Sequence, residues 1–202
     1  MDTKEKIIYE SLKLFSVNGY DAVSTRMIAK AAGVSDTAMY KHFKGKQDIF
    51  DSIINICKER FLHAVEKADI YHIHWDDVEQ ICLDIFKFQT QDEWTVMFRR
   101  LLIIEQFKNP EMSRLYRSFF IDMPVNGQVL LFEKLIKAGY MKPCDPKVLA
   151  MELYAPFFMY HTVHGDSEEL LNRLREHVSY FRKNYRTKLC DNVPDGMGEE
   201  EK

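Results

Sequence analysis

Residues 33–50 read GVSDTAMYKHFKGKQDIF. Gly33 ends one helix. Ser35 is a good N-cap for the next, which opens with Asp36 at the positive end of the helix dipole. Only Gly33 and Val34 separate the two. Upstream, the hydroxyls of Ser24-Thr25 can cap a short helix running through Ile28 and Ala29. Small Ala29, Ala31 and Ala32 let two helices cross closely. Two helices joined by a short Gly-containing turn form the helix-turn-helix pattern. On the second helix, Met39 and Phe43 stand at i and i+4 and are expected to face the core. That leaves Thr37 and Lys41 facing out beside Ala38.

Residues 3–18 place Ile8, Leu12 and Phe15 on one side of a helix, with Ile7, Ser11 and Leu14 nearby. Gly19 is expected to end it as a left-handed C′ residue, with Tyr20 folding back on Phe15 in a Schellman ending. After Lys44-Gly45-Lys46 a long helix is expected from about Gln47 to Lys67, striped by Ile49, Phe50, Ile53, Ile54, Cys57, Phe61 and Val65. Further helices are expected at about 76–90, 93–107, 110–138, 146–164 and 167–186. Asn109-Pro110, Pro143 to Pro146 and Gly165-Asp166 supply their stops and starts. Asn126-Gly127 lacks the flanking β-branched alternation of a hairpin, so a break near Pro124 in a long helix is preferred. There is no internal repeat. From Lys188 the chain holds Pro194, two glycines and Glu199-Glu200-Glu201, a composition that favours a solvated, disordered acidic tail.

The composition supports an all-helical chain. Of 202 residues 46% are hydrophobic and 29% charged, which excludes disordered, collagen-like and low-complexity classes. Gly and Pro make up 14 of the 202 residues, about 7% against an ordinary ~12%, too few for a turn-rich sandwich or barrel. The longest uncharged run, Leu153 to Gly165, is 13 residues, short of the ~18 of a membrane span. Charges at Asp2, Lys4 and Glu5 stand where a signal peptide needs an apolar stretch, so a cytoplasmic location is expected. Cys57, Cys82, Cys144 and Cys190 form no CxxC pair and read as reduced thiols, with Cys57 and Cys82 in helix cores.

The net charge of −3 excludes a protein that coats nucleic acid by bulk positive charge. It does not exclude a local patch. Residues 22–47 hold Arg26, Lys30, Lys41, Lys44 and Lys46 against Asp36 alone, a net +4, whereas residues 1–21, 48–187 and 188–202 carry −1, −3 and −3. The N-terminal residues of a recognition helix reach base edges in the major groove, here Ser35, Thr37, Ala38 and Lys41. Lys41 can donate to guanine, and the methyl of Ala38 or Thr37 can meet that of thymine.

Residues 33–50, with Ser24-Thr25-Arg26-Met27-Ile28-Ala29 before them, resemble the DNA-binding domain of the TetR family of bacterial repressors. The resemblance rests on the small-residue second helix, the Gly33-Val34-Ser35 turn, Tyr40 and Phe43 at their spacing, and the basic loop of Lys44 and Lys46. It covers about residues 7–50; beyond that only the helix pattern is similar. It implies that Thr25 and Arg26 touch phosphate and base, and that Tyr40, His42 and Lys46 touch phosphate. Lys41 stands where the family more often has an aromatic residue or His. The implied architecture is an N-terminal three-helix helix-turn-helix domain, residues 1–47. A long helix joins it to a larger helical effector-binding and dimerisation domain, residues 48–187, before the tail 188–202. The implied function is a repressor on a near-palindromic operator, acting as a homodimer and released when a small effector shifts the helix beginning near Gln47.

Other chemistry is weakly supported. His72 and His74 beside Asp76 and Asp77 have ligand-like composition, but a loop with Asp76 as an N-cap explains them more simply. His161 and His164, at i and i+3, read as packing rather than metal ligands. No phosphate loop, HExxH or GxSxG is present, and Gly196-Met197-Gly198 lies in the acidic tail, so neither catalysis nor a cofactor is expected. The aromatic and Met residues between 86 and 160 suit an adaptable apolar pocket for a small apolar or aromatic effector. Trp94, Phe98, Phe120 and Tyr154 are the candidates. Arg99 and Arg100 beside them are expected on the solvated surface unless they meet an anionic effector. Leu149 to Tyr160 is apolar on both faces, and Leu170, Leu171, Leu174, Val178 and Phe181 continue a stripe. The last two helices, about 146–186, therefore offer a dimer surface, and the resemblance implies that it is isologous.

Overall fold

The computed structural model describes residues 1–67, 75–161 and 168–188. The chain divides into two compact units, one of Met1–Ala68 with Ile85–Asp122, the other of Asp69–Asp84 with Met123–Lys202. The described residues form ten α-helices and no strand, apart from an isolated antiparallel bridge between Met141 and Arg186. The division follows packing, and differs from the functional boundary between residues 47 and 48 suggested by the sequence.

In the first unit α1 (Thr3–Asn18) begins with a reciprocal capping box. The Glu5 N–H donates to Asp2 Oδ1 and the Asp2 N–H to Glu5 Oε2, both at 2.8 Å. Its buried face is Ile7, Ile8, Ser11, Leu12, Phe15 and Ser16. α2 (Thr25–Ala32) and α3 (Asp36–His42) follow, then the 22-residue α4 (Lys46–Lys67). Ile28, Met39, Ile49, Phe50 and Ile53 complete the core around Leu12 and Phe15. Each such side chain contributes about 1.5–3 kcal/mol by burial. Met39 and Phe43 face inward as the spacing predicts, and Thr37 and Lys41 are exposed.

A 3-10 turn at Trp75–Asp77 precedes α5 (Val78–Gln91), which crosses from one unit to the other, and α6 (Glu93–Glu105) comes next. Asp92 caps α6. Its Oδ1 accepts from the Thr95 N–H at 2.9 Å, and its carboxylate pairs with Arg60 on α4. Burial opposes that charge, but the hydrogen bonds from Arg60 and Thr95 outweigh it and hold the pKa below the ordinary Asp value. α6 ends at Glu105, two residues before the sequence suggested, and the Lys108 and Asn109 N–H groups bond the Glu105 carbonyl at 3.0 and 2.9 Å. α7 (Pro110–Arg117) leads into a π-helical turn at Ser118–Asp122. The expected break near Pro124 is this turn, since Pro124 has no N–H for the Phe120 carbonyl one helical turn back. Around it Phe61 meets Phe88, Phe119 and Phe120 at ring separations of 5.2, 5.2 and 5.5 Å, and Phe98 meets Phe119 at 5.2 Å.

The second unit holds α8 (Met123–Lys137), α9 (Pro146–His161) and α10 (Glu168–Tyr185). α10 turns Leu170, Leu174, Val178 and Phe181 into this unit's own core, Phe181 lying 5.6 Å from Phe132. That corrects the expectation that this stripe forms the dimer surface, because a stripe buried within one chain cannot meet another. Cys57 is buried, Cys82 half-buried and Cys144 exposed, and burial pushes the Cys57 and Cys82 thiols up to about 12. Cys190, His72, His74, the Asp76 side chain, His164, Gly165-Asp166 and the tail beyond Lys188 lie outside the described residues. Among the described residues no helix is long and apolar enough to cross a membrane, and no group of three or more His, Cys, Asp or Glu could hold a metal ion.

The ending of α1 differs from the sequence expectation. Gly19 has φ 81° but ψ 163°, so it is not left-handed helical, and the Tyr20 N–H reaches the Glu105 carboxylate at 3.1 Å instead of folding back to α1. The Tyr20 ring does lie on Phe15, at 5.2 Å. The Schellman pattern appears at Gly33 (φ 68°, ψ 32°), where the Val34 N–H bonds the Ala29 carbonyl at 2.9 Å and the Gly33 N–H that of Lys30 at 3.1 Å. A Cβ on Gly19 would stand 2.4 Å from Glu105 Oε1, whereas one on Gly45 would meet nothing within 4 Å. Gly19→Ala is therefore expected to destabilise by about 1–3 kcal/mol and Gly45→Ala by clearly less. Urea denaturation of both variants measures the difference.

Candidate nucleic-acid interface

The Schellman turn at Gly33 and the Ser35 cap together set where α3 begins. Ser35 Oγ accepts from the Ala38 N–H at 3.1 Å, and Ser24 Oγ caps α2 by accepting from Met27 at 3.3 Å. Met39 and Phe43 anchor α3 from below. Ser35, Thr37 and Lys41 are exposed on its other side, and Ala38 is half-buried. This short helix thus offers water a hydroxyl, a β-branched methyl and an ammonium within two turns.

The remaining sequence candidates surround that face. Thr25 begins α2 with Arg26 exposed beside it. The Thr25 and Tyr40 hydroxyls lie 3.4 Å apart, joining the start of α2 to the middle of α3, while the Tyr40 side chain stays 54% exposed. His42 and Lys44 are exposed. Lys46 is half-buried and engaged: its Nζ donates to the Tyr20 carbonyl at 2.8 Å and sits 4.2 Å over the Tyr20 ring. An ammonium has three donors, so that bond leaves capacity for an anion.

Two lysines outside the basic segment join it in space. Lys4 Nζ is 5.8 Å from the centre of the Phe43 ring, and Lys6 Nζ lies 3.6 Å from where a Cβ on Gly33 would stand. The sequence hid them because Asp2 and Glu5 cancel their charges over residues 1–6.

Phe98 and Phe120, two of the expected effector residues, both belong to the aromatic cluster of the first unit. Trp94 packs on Tyr9 of α1 at 5.8 Å, and Tyr154 belongs to the second unit, beside Phe158 and His161. Arg99 corrects the surface expectation. It is 7% exposed, donates to the Gln89 carbonyl and faces the Phe120 ring at 5.9 Å. Burial raises the Tyr116 pKa, partly offset by the Arg99 charge.

Residues 7–53 match the family of bacterial regulatory proteins described as the tetR family. Residues 7–53 thus carry the DNA-binding segment of the TetR family. It is 27% identical over 159 residues, 74% of this chain and 78% of the other, to YhgD of Bacillus subtilis (strain 168), named an uncharacterized HTH-type transcriptional regulator. A transcriptional regulator from Aquifex aeolicus VF5 superposes with a TM-score of 0.70 at 18% identity, covering 89% of this chain and 99% of that one. AibR, solved with isovaleryl coenzyme A and operator DNA, superposes with a TM-score of 0.66 at 16% identity, covering 88% of this chain and 96% of its own. At those identities the structures show a shared TetR fold. The matches support a DNA-binding transcriptional regulator of the TetR kind.

Ser35→Ala removes the acceptor that caps α3 and is expected to lower stability by about 1 kcal/mol. The midpoint of urea denaturation measures it, and an unchanged midpoint would mean that water caps the Ala38 N–H as well.

Proposed function

We propose that the chain is a repressor that binds a near-palindromic operator as a homodimer and leaves it when a small effector binds. The observation that carries this reading is the capped, anchored α3, whose exposed Ser35, Thr37 and Lys41 are flanked by Arg26, Tyr40, His42, Lys44 and Lys46. Direct base contacts fall to Arg26, Ser35, Thr37, Ala38 and Lys41, and phosphate contacts to Thr25, Tyr40, His42, Lys44 and Lys46. Residues 1–47 act as the reader and 48–187 as the effector and dimer domain. Half-sites face a dimer about 34–36 Å apart, so an effector must favour a state with the wrong spacing. One that bound both states equally would shift nothing.

The effector reading places a small apolar or aromatic molecule against Phe98 and Phe120, with Trp94 and Tyr154 as further candidates. AibR, with its acyl coenzyme A and operator, supports a ligand-responsive mechanism for the fold. The dimer reading is supported by α9, where Val148, Met151, Ala155 and Met159 form one exposed stripe opposite buried Leu149, Leu153 and Phe157. Exposed Tyr180 is the apolar contribution of α10. A double charge on that stripe, Met151→Lys with Met159→Lys, is expected to halve the sedimenting mass. A mass equal to native would move the dimer surface elsewhere.

Selection of a duplex from a random library by the purified protein tests the operator reading. A carrier that kept the fold without reading DNA would enrich no sequence. With the selected duplex, Arg26→Ala is expected to relax preference at one position at a cost of about 1–3 kcal/mol. Lys46→Ala should weaken all sequences alike and lower the salt slope by about 0.9. A changed sequence profile for Lys46→Ala would overturn its assignment to phosphate.

A further inference from the structure

Tyr20 is bonded on both sides of its backbone. Its N–H donates to Glu105 Oε1 at 3.1 Å, and its carbonyl accepts from Lys46 Nζ at 2.8 Å. Its ring packs between Phe15 and Phe50 at 5.2 and 5.3 Å, with the Lys46 ammonium 4.2 Å from it. Its hydroxyl donates to Gln47 Oε1 at 3.0 Å. One residue therefore links the last residue of α6 to the first two of α4.

Glu105 is 4% exposed, and a carboxylate so placed needs donors. It takes the Tyr20 N–H, and Gly19 leaves it room, since any Cβ there would collide with Oε1 at 2.4 Å. Lysine has a flexible four-carbon stem, and holding its ammonium in one place costs rotamer entropy. The Tyr20 carbonyl and ring confine it before an anion arrives.

We propose that Glu105 is a positioning residue for DNA binding, which by fixing Tyr20 holds the Lys46 ammonium at the place where it meets a phosphate. This rests on the reading of Lys46 as a phosphate ligand. It makes the end of α6 a determinant of operator affinity, although Glu105 repels phosphate and lies outside the recognition segment.

A double-mutant cycle on full-length protein tests it, with the duplex selected by the native chain. Glu105→Met fills the same volume without an acceptor, and Glu105→Gln keeps a carbonyl for the Tyr20 N–H. Circular dichroism at the binding temperature establishes that each variant is folded. Glu105→Met is expected to weaken binding about 3- to 10-fold in the native background and less than about 2-fold when Lys46 is already Ala. Glu105→Gln should stay within about 2-fold of native. Equal losses in both backgrounds overturn the proposal and reduce Glu105 to a structural support of the turn. If Lys46→Ala alone leaves affinity unchanged, the phosphate reading of Lys46 fails, and the proposal fails with it.

Discussion

The geometry of the N-terminal unit depends on one buried carboxylate. Glu105 ends α6 with almost no water around it, and leaving such a group without donors would cost several kcal/mol. A backbone N–H from the turn after α1 meets that need. The turn must then run past the carboxylate, so residue 19 has φ 81° and no side chain. Tyr20 is thereby set under Lys46, and α2 starts four residues later at its Ser24 cap. The connection between the first two helices is thus shaped by a residue 85 positions away along the chain.

α3 shows how little structure the exposed face requires. Seven residues are too few for a helix to persist alone in water. This one is held by the Gly33 turn, the Ser35 cap, two buried anchors and the Thr25–Tyr40 contact. Each of these constrains the backbone, the inner side or the rim of the helix and leaves Thr37 and Lys41 facing solvent. Electrostatics has the same arrangement. The net −3 is an average over a chain whose basic residues gather at 22–47 and, through folding, at Lys4 and Lys6.

What the sequence revealed was what short-range rules decide. Ser24, Ser35, Asn109 and Gly33 announce helix ends because capping involves partners within a few residues, and Met39 and Phe43 fix the inner side of α3 by period alone. Gly19 looked the same as Gly33. Its conformation was not legible, because its deciding neighbour comes from α6. Arg99 stood beside Arg100 in a charged pair, yet neighbours on a helix point about 100° apart, and a carbonyl of α5 with the Phe120 ring receives only the first. The stripe on α10 had the right period, but period cannot tell whether an apolar face meets its own chain or another.

α9 carries that distinction further. Its inward side chains, Leu149, Leu153, Phe157 and their neighbours, already fill the core of their unit. The opposite side still presents Val148, Met151, Ala155 and Met159 in one line. Scattered apolar residues on a surface need no explanation, whereas a continuous stripe along about three turns does. Pro156 sits within this helix and cannot donate to the Glu152 carbonyl. A helix that keeps a weakened bond and an apolar outer face is easier to understand when a second surface covers it. A helix of the same kind, packed antiparallel about a two-fold axis, would present the same residues in return. That self-complementarity favours a second copy of this chain as the occupant.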